Sequence, residues 1–109
     1  MLKPKIMAEI GLSFDKAVRM QSISEYIELI PSRITEHENS KVIVNSHTIA
    51  TWVLCTEYIE TFYSEEAYQQ LLAVIAPKAD KIKSVIERYN AKVDFCIVTE
   101  FNSSNIPAI

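Results

Sequence analysis

The chain has 109 residues, 49% of them hydrophobic and 23% charged, and a net charge of −3 from 14 acidic and 11 basic side chains. That length matches one domain, expected over residues 1–109, with a core burying roughly 60–70% of the unfolded surface, and the low content of Gly (one) and Pro (four) excludes a linker-rich or disordered chain. The basic residues are scattered rather than gathered into a stripe, so phosphate-backbone binding is a poor default and no nucleic-acid partner is expected; there is neither the apolar run of a membrane span nor the leader of an exported protein, so the expected location is the cytoplasm.

In chain order, Ile6, Ala8, Ile10, Leu12 and Phe14 alternate with Lys5, Glu9, Ser13 and Asp15, the period-two pattern of a strand with one buried face. Ser22-Ile23-Ser24-Glu25 has the form of a capping box. Ile23, Tyr26, Ile27 and Ile30 follow at helical spacing, so an amphipathic helix is expected to start near Ser22 and end at Pro31. Arg33-Ile34-Thr35-Glu36 and Lys41-Val42-Ile43-Val44 read as a short hairpin or bent edge strand. From Ile49 to Ile59 both parities are apolar, with Trp52 among them, which predicts a central strand.

Tyr68, Leu72, Ile75, Ala79, Ile82, Ile86 and Tyr89 step by three or four residues, predicting one long buried helical stripe over 64–90. Pro77 breaks its hydrogen bonding, so a kink or two abutting helices is expected, with Asn90 as C-cap. Lys92 to Phe101 alternates again, with Val93, Phe95, Ile97 and Phe101 inward, and Asn102-Ser103-Ser104-Asn105 reads as a turn or tail. The resulting order suggests an α+β fold, specifically a ferredoxin-like βαββαβ sandwich with a mostly antiparallel sheet and helices on one face.

Ile30-Pro31-Ser32-Arg33, Thr51-Trp52-Val53-Leu54 and Leu71-Leu72-Ala73-Val74-Ile75-Ala76-Pro77-Lys78-Ala79-Asp80-Lys81-Ile82 resemble the bacterial proteins grouped as domain of unknown function 4279. The resemblance implies an architecture, with Pro31 and Trp52 as its structural anchors, and no activity. Such proteins continue past an Ile-Pro-Ala-Ile-like segment into another helix and strand, whereas here that segment is residues 106–109, which leaves the completeness of the sheet open.

Candidate chemistry is sparse. His37 and His47, with Glu36 and Glu38, could hold zinc, but they lack a recognised ligand spacing and fit solvated loop histidines better, so neither metal nor cofactor is expected. Cys55 and Cys96 lie within strand patterns and read as buried free thiols. Gly11 is alone, which excludes a glycine-rich phosphate loop, and Ser32-Arg33 could grip an anion or simply form a surface ion pair.

Residues 57–68 gather four acids and four aromatics. Glu57, Glu60, Phe62, Tyr63, Glu65 and Glu66 form a candidate interaction surface for a basic protein; the competing reading is that Glu65 and Glu66 serve the helix dipole and Tyr68 the core. Two functions stay open: a non-catalytic protein-binding module, of the kind that masks a basic toxin, or a small enzyme or ligand sensor with a pocket between sheet and helices relying on His37, His47 or Arg33. The second face of the last strand, where Cys96 and Val98 lie between Asp94 and Glu100, further suggests a homodimer.

Overall fold

The computed structural model describes residues 3–36 and 50–100. Strand β1 (Lys5–Phe14) is its axis: Ile6, Ala8, Ile10, Leu12 and Phe14 are all buried while the odd residues lie half-open on the other face, as the period-two pattern requires. β1 pairs antiparallel with β3 (Ala50–Cys55), from Glu9↔Cys55 to Phe14↔Ala50, and β3 pairs in turn with β2 (Arg33–Glu36). The two-residue β4 (Ile59–Glu60) and the nine-residue β5 (Lys92–Glu100) both meet β1 at Lys5 and Ile6, so they occupy opposite edges and β4 continues the β3 side. The sheet therefore runs β2-β3-β1-β5, with every neighbour antiparallel.

Helix α1 (Met20–Ile27) starts two residues before the expected capping box. Ser22 and Glu25 therefore lie inside its first turns, and the cap comes from tertiary structure: Glu36 Oε1 of β2 accepts the Met20 N–H at 2.7 Å. The helix ends before Pro31, because Glu28 takes a left-handed conformation (φ 65°) and donates its N–H to Ser24 O at 2.8 Å. Glu28 also meets Lys81 and, at 3.5 Å, Lys78; the Lys81 hydrogen bond foremost, then the Lys78 charge, holds its carboxyl below the usual range.

The long helical region is two helices, α2 (Ser64–Ile75) and α3 (Ala79–Tyr89), joined by a 3₁₀ turn over Ala76–Lys78 that contains Pro77. Proline sits in the first turn of that element, where it has no N–H to satisfy. Asn90 (φ 51°) caps α3 as expected, and Ala91 donates to Ile86 O at 3.0 Å.

The buried face of α2 differs from the predicted stripe. Ala67, Leu71 and Ile75 are buried, while Leu72 is 40% exposed, and in α3 the buried residues are Ile82 and Val85. Ile75 and Ile82 of the predicted stripe stay buried, but Ala67, Leu71 and Val85 replace Tyr68, Leu72 and Ile86 as its deepest members, so the buried face is turned by about one residue. The three described α-helices share one core with the even residues of β1, Ala50 and Trp52, so they pack on the same face of the sheet.

Two further expectations are corrected. Val93, Phe95 and Ile97 do face the helix side, opposite Leu12, Ile10 and Ala8, yet remain 39–45% exposed because α2 lies over β1 and barely reaches β5. Cys96 is exposed and Cys55 half-buried, since both point to the face of the sheet opposite the described helices. His37, His47, Lys41–Val44, Phe101 and the Asn102–Asn105 segment lie outside the described residues.

Candidate functional site

The connection from β3 to α2 is bound to β1 residue by residue. Beyond Cys55, the Thr56 N–H donates to Ala8 O at 2.9 Å and its Oγ1 accepts the Ala8 N–H at 3.0 Å. Ile59 and Glu60 pair with Ile6 and Lys5. Thr61 is 3% exposed; its N–H donates to Pro4 O at 3.1 Å and its Oγ1 accepts the Tyr63 N–H at 3.0 Å. A buried hydroxyl that satisfies a backbone amide two residues on holds the turn in one conformation.

That turn puts large side chains in water. Tyr58 is 41% exposed, Phe62 51% and Tyr63 62%, and Glu57, Glu60, Glu65 and Glu66 are exposed around them. Glu65 and Glu66 occupy the first turn of α2, where the helix dipole favours them. No Lys or Arg occurs from 57 to 68, although Lys5 lies opposite Glu60 across the strand pair. Tyr68 turns away and packs its ring 5.9 Å from that of Phe95. The six candidate residues are all exposed, along this connection and the first turn of α2.

A second cluster lies on the face of the sheet opposite the described helices. Arg33 of β2 reaches across to Glu9 of β1, Nη2 to Oε2 at 3.2 Å, and Cys55 of β3 lies between them: its thiol donates to Glu9 Oε2 at 3.3 Å and its N–H to Ser32 Oγ at 2.8 Å. Burial, then the hydrogen bond to Glu9, pushes the Cys55 thiol above its ordinary range, the opposite of an activated nucleophile. Partial burial opposes the Arg33 charge, but the Glu9 carboxylate outweighs it and raises the guanidinium pKa. Over Gly11 this face forms a shallow groove of about 460 Å³ bounded by Glu9, Arg33, Val53, Asp94 and Cys96. Another hollow, of about 190 Å³, lies between α1 and α3, beside Ser22, Ser84 and Arg88.

The Arg33–Glu9 pair confirms the ion-pair reading of Arg33 over a free anion grip. Local patterns do not single out Glu9 or Thr61. Glu9 reads only as an outward β1 residue, and its partners come from strands 24 and 46 positions away. Thr61 is a lone polar residue flanked by Glu60 and Phe62, and nothing local marks it as the buried pin of the turn.

The two thiols should differ in reactivity. With an excess of iodoacetamide at neutral pH, Cys96 is expected to be alkylated first and Cys55 markedly later, because Cys55 is half-buried and its thiol is held protonated. Peptide mass spectrometry over time checks this; equal rates would show that Cys55 is not held by Glu9.

Among the described residues, no three His, Cys, Asp or Glu side chains come together as metal ligands, and no helix is long and apolar enough to cross a membrane. No curated protein and no solved structure matches the chain. A family model described as Domain of unknown function (DUF4279) matches residues 4–109.

Proposed function

We propose that this chain, which belongs to the DUF4279 family over residues 4–109, is a non-catalytic protein-binding module that docks a basic partner through the surface around Phe62 and Tyr63. The observation that carries the reading is the exposure of Tyr58, Phe62 and Tyr63 on a turn pinned by buried Thr61 and ringed by Glu57, Glu60, Glu65 and Glu66. Rigid aromatics bury large area at little entropic cost, and the acids steer a cationic surface toward them. Masking of a basic toxin is the kind of task such a surface suits. The two free thiols fit a reducing cytoplasm. A ferredoxin-like description of the fold is part of the same proposal, supported by the β2-β3-β1-β5 order, the antiparallel neighbours and the one-sided helices.

The alternative, an enzyme or ligand sensor, draws support from the groove over Gly11. Its only guanidinium is already paired to Glu9 and its Cys55 thiol is deactivated, so that groove fits recognition better than catalysis. Parallel affinity capture with the parent protein and a Phe62→Ser/Tyr63→Ser variant tests the proposal. A basic partner held by the parent, lost by the variant and weakened by salt is expected. Identical captured sets from the two baits would sink it.

A further inference from the structure

We infer that β5 is a dimerisation edge, and that it pairs antiparallel with β5 of a second copy about a two-fold axis through Cys96. The backbone says which groups are free. The Thr56 N–H to Ala8 O and Thr61 N–H to Pro4 O bonds direct the even residues of β1 toward β3 and β4, so its odd residues bond to β5. Their partners there are Lys92, Asp94, Cys96, Val98 and Glu100. The N–H and C=O groups of Val93, Phe95, Ile97 and Thr99 consequently point away from β1, and among the described residues β1 is the only strand paired with β5.

Charge then selects the register. Centring the axis on Cys96 uses the whole strand and sets Lys92 opposite Glu100 of the second copy twice, once at each end. It also brings Val93 opposite Thr99 and Phe95 opposite Ile97, all four being residues with outward backbone groups. Centring on Asp94 would stack Asp94 on itself, and centring on Ile97 would set Asp94 against Glu100. An axis on Phe95 avoids repulsion but forms neither ion pair and leaves the strand end unpaired. Like charges directly opposite one another destabilise a sheet and opposite charges stabilise it; an axis on Val93 would pair Lys92 with Asp94 but span only three residues of the strand, so the full-length alignment on Cys96 stands out.

The same arrangement accounts for the apolar row. An axis normal to the sheet puts the helices of both copies on one side. Since α2 lies over β1, the two α2 helices would be separated by three strand spacings, about 14 Å, against a helix width of ~10–12 Å. The Val93, Phe95 and Ile97 side chains of both copies, exposed in the single chain, would line the floor of that narrow space with Leu72 on its walls. Phe62 and Tyr63 lie at the β4 side of β1 and stay free, so this inference stands apart from the proposed function.

Light scattering at micromolar concentration should give twice 12.4 kDa. Lys92→Glu and Glu100→Lys should each weaken dimerisation roughly ten-fold, because symmetry makes every substitution count twice, and the double variant should restore it. Circular dichroism of the diluted variants separates this from misfolding. Diamide, which takes up two electrons and two protons as two thiols join, should link the dimer through Cys96; Cys55→Ser should retain the link and Cys96→Ser should lose it. A mass of 12.4 kDa throughout, as when the edge is covered from within the chain, would overturn the inference. So would a dimer indifferent to both charge reversals, or one that diamide does not link through Cys96.

Discussion

Trp52→Ala is expected to abolish cooperative folding at ordinary temperatures. The indole is fully buried on β3, between Leu12 of β1 and Ile34 of β2, and its Nε1–H donates to Ser24 Oγ of α1 at 2.9 Å. Ser24 in turn donates to Met20 O, so the ring both fills the space beneath α1 and ties that helix to the sheet. Truncating a buried aromatic costs about 3–5 kcal/mol, much of the ~5–15 kcal/mol that holds a small domain. Trp52→Phe keeps most of the volume but loses the hydrogen bond, and should cost substantially less. Thermal melts of both variants by circular dichroism check this, and an alanine variant melting within a few degrees of the parent would show that α1 does not depend on the ring.

The second large effect is a contrast between neighbours. Leu71→Ala should destabilise by about 2–5 kcal/mol, whereas Leu72→Ala should cost well under half of that. Leu71 is 1% exposed in the core that α2 shares with β1, while Leu72 is 40% exposed. Urea titration of the two variants gives both values in one experiment. If Leu72 proved the costlier, α2 would be rotated toward the stripe that Tyr68, Leu72 and Ile86 outline in the sequence.

That contrast shows where local patterns stop informing. Alternation in β1 was unambiguous because polar residues occupy every outward position except Met7 and Gly11. In α2 the pattern was ambiguous: apolar residues occur at 71, 72, 74 and 75, so two adjacent stripes were available. The choice between them rests on what the helix packs against, which is tertiary. Likewise the Ser22 capping box lost to a start two residues earlier, because a carboxylate from β2 serves the Met20 amide better than local residues do. The aromatic-acidic cluster was legible from composition alone, but its exposure depends on Thr61 and Pro4, 57 positions apart, whose contact no local pattern encodes.

The central position of β1 also governs how the molecule can be made. Its Lys5 pairs with Glu100, and its partner on the opposite edge begins only at Ala50. During synthesis β1 therefore waits, with its apolar side chains unmatched, until β3 and then β5 have emerged. Loop-closure entropy delays such distant pairings, so assembly of this sheet should be slow, and the waiting strand is the segment that a chaperone would have reason to hold.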